Sequence, residues 1–241
     1  MADVLSSESF SSERCAEIAE EFFREGCVLV PGVLSPNEVA ALRARTDDYF
    51  ARREEIPAEH VSYVYGAFVL RRAAQLDPLF ADMMTREDIL GLAAAVLGPR
   101  PAFNACNVIR NEPGQAISLW HLDDVLEFAL PPDIPRFDAR IRMPVTWFTI
   151  QVALSDIPDL AHGPTQYVPR SHYSGRQPVS QEEPVFEGRG PEAMLCRAGD
   201  IYFTNHQAWH RGAPNTSGDV RYVMQLQFAQ RWAANRFAGN A

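Results

Sequence analysis

The sequence changes texture at Pro101, and that change restricts the fold more than any other feature. Downstream of it, short β-rich runs are separated by proline, glycine, asparagine and aspartate: AFNACNVIRN, AISLWHLD, VTWFTIQVALSD, TQYVP, AMLCRAGDIYFTN and RYVMQLQFAQRW. Upstream, apolar residues recur at helical spacing. Ile18, Phe22 and Phe23 mark the apolar face of a helix over residues 12–26, which Gly26 is placed to end. CVLVPGVL then reads as a short strand and turn. Ser35, Pro36 and Glu38 form a capping-box start to a second helix, and another is predicted over 85–98. Many short strands behind a helical front predict a mainly β fold, a double-sheet barrel flanked by helices. The stretch ALPPDIPRFDARIRMP is too rich in proline for a central strand and is expected as a loop over the barrel mouth.

At 241 residues, with 46% hydrophobic and 22% charged residues, the chain can bury a core as one domain. That domain is expected to span 1–241, with a helical part to about residue 100 and a barrel core over about 101–235. The formal charge of −9 repels nucleic acid and anionic membranes, so neither is expected as a partner. No apolar run reaches the roughly 18 to 20 residues of a membrane span. The first residues lack a basic segment followed by an apolar one, so no export signal is expected and the cytoplasm is the expected location. Cys15, Cys27, Cys106 and Cys196 are scattered, which predicts free thiols. All 22 basic residues are arginines. Without lysine there is no Schiff-base chemistry, no lysine-anchored pyridoxal phosphate and no Walker A lysine. GxGxxG and GxSxG are also absent.

Chemistry concentrates in two stretches. SLWHLDDVLEF places His121 two residues before Asp123, and in a strand such residues point the same way. An imidazole and a carboxylate converging in an apolar run need a partner, and a metal ion is one. NHQAWHRGAPNTSGDVRYVMQLQF adds His210 and, eleven positions on, Arg221 at the start of an apolar strand. Two histidines and one carboxylate on one face of a metal leave three positions open, the arrangement of non-haem Fe(II) oxygenases. Open positions accept O₂ and a chelating co-substrate. A buried arginine nearby would grip the far carboxylate of a dicarboxylic co-substrate through two charge-assisted hydrogen bonds.

These residues make the sequence resemble the phytanoyl-CoA dioxygenase family of Fe(II)/2-oxoglutarate oxygenases. EFFREGCVLVPGVLSPNEVAALRA is similar to the family's N-terminal helix, strand and helix; WHLD matches its W-H-x-D; HGPTQYVPRSH and HRGAPNTSGDVR resemble its two later segments. The resemblance implies a double-stranded β-helix, or jelly roll, with His121, Asp123 and His210 as iron ligands and Arg221 anchoring 2-oxoglutarate. It implies Fe(II), 2-oxoglutarate and O₂ as cofactor and co-substrates, with release of succinate and CO₂. Two positions depart from the family pattern: Arg170 stands where glycine is usual, and Gly212 where many members carry a serine that helps bind 2-oxoglutarate. Related halogenases carry a small residue in place of the carboxylate ligand, so Asp123 implies hydroxylation. Desaturation, epimerisation and ring formation draw on the same chemistry.

His206 competes with His210 as third ligand, but His210 fits the spacing to Asn215, Ser217 and Arg221. Asp124 competes with Asp123, and alternation would point it away. Trp147, Thr149 and Gln151 share a strand face, and Thr149 and Gln151 are candidate co-substrate contacts, as is Asn107. His172 is expected to cap local structure, His60 and His162 to lie in loops, and Asn215 and Ser217 to hold a turn. The expected substrate is a free small molecule, with tailoring of a specialised metabolite the leading expectation; the oligomeric state is not legible. Two other classes use the same residues differently: a redox-inert metalloenzyme, with zinc or another metal, on a cupin-like barrel, and a non-catalytic jelly-roll binding module.

Overall fold

The computed structural model describes residues 10–115, 119–123 and 126–237. Helix α1 (Ser12–Glu25) starts where the Ser11 side chain accepts the Arg14 N–H and ends at Gly26, whose φ of 80° is open to glycine at no steric cost. Strand β1 (Cys27–Val30) follows. Helix α2 (Pro36–Ala51) carries the predicted capping box: Glu38 N–H donates to Ser35 Oγ, and the Ser35 main-chain N–H donates to the Glu38 carboxylate at 2.8 Å.

Strands β2 (Val61–Val64) and β3 (Ala67–Leu70) form a hairpin that turns at Tyr65 and Gly66, both left-handed, at φ 50° and 89°. Helices α3 (Ala73–Leu76), α4 (Pro78–Thr85) and α5 (Glu87–Leu97) come next. The helix expected over 85–98 is α5, and α4 precedes it, set apart at Arg86, whose ψ of 136° is extended. The remaining strands are β4 (Ala102–Asn111), β5 (Trp147–Ala153), β6 (Thr165–Tyr167), β7 (Glu192–Ala193), β8 (Ile201–Asn205), β9 (His210–Gly212) and β10 (Arg221–Ala229).

Two antiparallel sheets face each other as a jelly roll. The large one has the order β1-β8-β5-β10-β4-β3-β2 and the small one β7-β6-β9. Residues 10–100 carry strands as well as helices, and β1, β2 and β3 extend both edges of the large sheet. Alternation along β10 sorts its residues: Tyr222, Met224, Leu226 and Phe228 join the core with the helices, while Arg221, Gln225 and Gln227 line a cavity on the other face. Phe22, Leu42, Phe80, Ile89 and Leu92 cover the helix side together with Phe148, Ile150 and Phe203. Each such side chain stabilises the fold by about 1.5 to 3 kcal/mol through its burial. The four cysteines are free and buried, and burial pushes the thiols of Cys27, Cys106 and Cys196 up to about 12, where they are inert.

Two family-like positions gain a physical account. Arg170 sits at φ 65°, a conformation that favours glycine, and holds it with its N–H on Glu25 O at 2.8 Å and its guanidinium on Glu187 at 2.8 Å. Gly163, at φ 67°, lies so close to the 213–215 turn that a Cβ would meet Ala213 O at 2.9 Å. That turn is held by Asn215, whose Nδ2 donates to Asp219 O at 2.8 Å, and by Ser217, whose hydroxyl donates to Asn215 Oδ1 at 2.7 Å. His172 packs against α1, buried, with its ring on Phe23 O at 3.1 Å; burial brings its pKa down to about 4. His60, expected in a loop, is instead buried and bonds Arg71 O at 3.1 Å.

Candidate metal centre

Ligand-type atoms of His121, Asp123 and His210 lie within 4.8 Å of one another, so the three could hold one metal ion. Asp123 Oδ1 is 3.2 Å from His210 Nε2 and 3.7 Å from His121 Nε2. Each imidazole is oriented by its other nitrogen. His121 Nδ1 reaches Leu119 O at 2.7 Å and His210 Nδ1 reaches Ala208 O at 2.9 Å. A carbonyl only accepts, so Nδ1 carries a proton in both rings and Nε2 is the nitrogen left to face the carboxylate or a metal ion. Burial alone would raise the Asp123 carboxyl, but the imidazoles of His210 and His121 outweigh it and hold it well below the usual range. For His210 burial pulls downward and Asp123 prevails, raising it. The field that favours a proton among these groups favours a metal cation equally.

Convergence does not arise as alternation in a strand predicts. Residues 119–123 form no strand, and 116–118 lie outside the described residues, as does Asp124. His121 instead makes an isolated bridge to β9, its N–H on His210 O at 3.0 Å and its carbonyl accepting His210 N–H at 3.1 Å. Asp123 N–H then donates to His206 O at 3.0 Å, so the chain bends away from the β9 register before a ladder can form. His206 thus helps place Asp123 through its carbonyl. Its ring is fully buried, 3.4 Å from Glu127 and apart from the triad.

The cavity beside the triad has a volume of about 590 Å³. Arg221 lines it, only 6% exposed, and among the described residues its Nε and Nη1 bond nothing. Burial pushes its guanidinium pKa down, with Tyr202 beside it pulling the other way. A buried cation with unmet donors marks the place of a carboxylate, because leaving it unpaired costs several kcal/mol. The donor set therefore fits both expected groups: a divalent metal on two neutral imidazoles and one carboxylate, and a dicarboxylate reaching from the metal to Arg221. Thr149, Gln151 and Asn107 line the same cavity. Register sets Asn107 and Gln151 level on either side of Gln225, and Thr149 level with Gln227. Gly212 offers no hydroxyl, but Thr165, opposite it in the β6–β9 ladder, lines the cavity in its place. The sequence reading missed Ser62, Val64, Tyr65, Val69 and Arg71 of the β2–β3 hairpin, which form one wall. The alternation of VSYVYGAFVL was the available signal.

The family model described as Phytanoyl-CoA dioxygenase (PhyH) matches residues 22–223. Rv1501 of Mycobacterium tuberculosis, an uncharacterized protein, is 25% identical over 209 residues, covering 85% of this chain and 71% of its own length. Among solved structures, the carbocyclase SnoK from nogalamycin biosynthesis is similar in fold, with a TM-score of 0.67 at 22% identity over 95% of this chain and 87% of its own. The epimerase SnoN, in complex with Fe³⁺, alpha ketoglutarate and nogalamycin RO, has a TM-score of 0.69 at 22% identity over 91% and 85%. HygX from Streptomyces hygroscopicus, with nickel, 2-oxoglutarate and hygromycin B bound, has 0.67 at 15% identity over 90% and 87%. Among the described residues no helix is long and apolar enough to cross a membrane.

Proposed function

Since the chain belongs to the phytanoyl-CoA dioxygenase family, we propose that it is an Fe(II)- and 2-oxoglutarate-dependent oxygenase that hydroxylates a small molecule and releases succinate and CO₂. The observation that carries this reading is Arg221: a buried guanidinium with two unmet nitrogens, lining one cavity with the His121–Asp123–His210 group. A redox-inert hydrolase has no use for such a dicarboxylate anchor, and a simple binding module has no use for the triad.

Iron bound here supplies, with 2-oxoglutarate and O₂, the oxidising power to replace an unactivated C–H bond by C–OH. The chain's own residues do the rest. His121 and His210 present Nε2, their rings held by main-chain carbonyls, and Asp123 adds the negative charge that a divalent cation requires. Arg221 takes the far carboxylate of 2-oxoglutarate, and Asn107, Thr149 and Gln151 provide neutral hydrogen bonds along its length. Residues 126–144 and 173–193, expected as loops over the site, supply none of the described residues that line the cavity. They are tied to each other by the Arg176 guanidinium, which donates to Pro131 O and Pro135 O at 2.9 Å.

That fold neighbours hold nogalamycin RO and hygromycin B supports a natural product as substrate. Asp123 occupies the position that chloride would need, which supports hydroxylation over halogenation. Likeness to a carbocyclase and an epimerase favours ring closure or epimerisation as the second reading. The test is succinate formation against a metabolite library under isotopically heavy O₂ in chloride-containing buffer. Succinate with one labelled oxygen in the product is expected. An unlabelled product would favour the second reading, a chlorinated one would refute the role of Asp123, and no succinate with any compound would sink the oxygenase reading.

A further inference from the structure

We propose that the primary substrate is an anion and that Arg71 holds its carboxylate or phosphate; this rests on the oxygenase reading above. In a chain with 31 acidic and 22 basic residues, arginines find carboxylates readily. Arg86 pairs with Asp88, Arg110 with Asp47, and Arg189 with Glu25 and Glu192. Arg71 is half-buried in the cavity wall, and its side chain bonds no described residue. Among the described residues that line the cavity, Asp123 is the sole carboxylate, and it is committed to the metal. Arg211 also lines the cavity but is engaged: its Nε donates to Gln166 at 2.9 Å and its guanidinium lies over the Trp120 ring at 4.9 Å. Among the described residues that line the cavity, and apart from Arg221, Arg71 is therefore the cation left for an incoming molecule.

Its surroundings suit an oxyanion. The β3–β4 ladder ends with Leu70 opposite Val108; Arg71 is the next residue beyond it on one strand and Asn107 on the other, and Asn107 pairs with Gln225. Asn107 Oδ1 accepts the Arg72 main-chain N–H at 3.2 Å, which fixes the main chain that carries Arg71. Nearer the mouth, the exposed Val64, Tyr65 and Leu119 offer apolar contact for the rest of the molecule. Arg71 is also distinct from the co-substrate anchor. Arg221 lies opposite Asn111, four residues further along β4, and β10 is two strands away from β3. The two backbones are thus separated by about 13 Å along the strands and about 10 Å across them, enough for two anions.

The test uses the protein loaded with Ni(II) and saturating 2-oxoglutarate, with binding read by ligand-observed fluorine NMR. The probes are para-fluorobenzoate, para-fluorophenyl phosphate and, as the neutral control, para-fluorobenzyl alcohol. At least one anion is expected to bind and the alcohol not; which anion binds separates a carboxylate from a phosphate substrate. Arg71→Gln should weaken that anion by roughly tenfold or more, and Arg71→Lys by less, because lysine keeps the charge and loses the fork. Thermal stability should stay unchanged in both, since the Arg71 side chain holds nothing in the fold. Equal binding to wild type and Arg71→Gln, or no anion binding at all, would overturn the proposal. So would a rise in the 2-oxoglutarate requirement of Arg71→Gln, which would place Arg71 on the co-substrate. Failure of the wild type to bind Ni(II) and 2-oxoglutarate, with Arg71-dependent anion binding intact, would sink the oxygenase reading and leave the anion site standing.

Discussion

The two sheets hold the two halves of the site by different means. On the large sheet, Arg221 opens β10, a nine-residue strand paired on both sides, with β4 and with β5. Its position follows from register, and a slip by one residue would turn it out of the cavity and into the helix-packed core. On the small side, His210 heads the three-residue β9, His121 is held to it by an isolated bridge, and Asp123 is held by one hydrogen bond to the His206 carbonyl. The proposed co-substrate anchor is thus built into the rigid ladder, whereas the proposed metal ligands rest on a few main-chain bonds. A bound metal would supply the missing cross-link on the small side.

That contrast can be broken by substitution. The largest effect is expected from His210→Ala, which should abolish metal binding and turnover, while His206→Ala keeps most of both because the bond from Asp123 goes to the residue 206 carbonyl. Metal retained by His210→Ala and lost by His206→Ala, measured by metal content after anaerobic purification, would reverse the assignment. A smaller loss is expected from Arg221→Ala on the rigid side. Leaving a buried charge partner unmatched costs about 3 to 5 kcal/mol, a rise of roughly a hundredfold or more in the 2-oxoglutarate requirement. Metal affinity should hardly change, and an unchanged 2-oxoglutarate requirement would remove Arg221 from its role. The gentlest measurement is amide hydrogen exchange with and without Ni(II). Without metal, the His121, Asp123 and His210 amides should exchange about tenfold or more faster than those of β10, and metal should narrow the gap. Equal rates in the metal-free protein would show that the small side needs no such cross-link.

Much of this was legible in the residue order, and the failures have physical causes. The Ser35 capping box, the Gly26 cap and the strands β4, β5 and β10 depend on neighbours in sequence, and all formed where expected. The β2–β3 hairpin escaped notice because it turns on Tyr65-Gly66, without the asparagine or aspartate that marks such turns. The strand expected over 116–123 failed at its described end because Asp123 bonds to residue 206 rather than continuing along β9, a partner 83 residues away by number.

By itself the sequence determined the chemistry: two imidazoles, a carboxylate and an arginine in an order and spacing that suit a metal and a dicarboxylate, with no lysine to offer another route. It also determined which face of each long strand looks inward, because alternation is a local property of the backbone. Only the tertiary structure decided that Nε2 of both histidines meets Asp123, since the ring orientations come from the carbonyls of Leu119 and Ala208 within a fold that first brings residues 121 and 210 together. It alone left Arg221 buried with unmet donors and turned Arg71 into the cavity, because which charges find partners depends on packing between elements far apart in the chain.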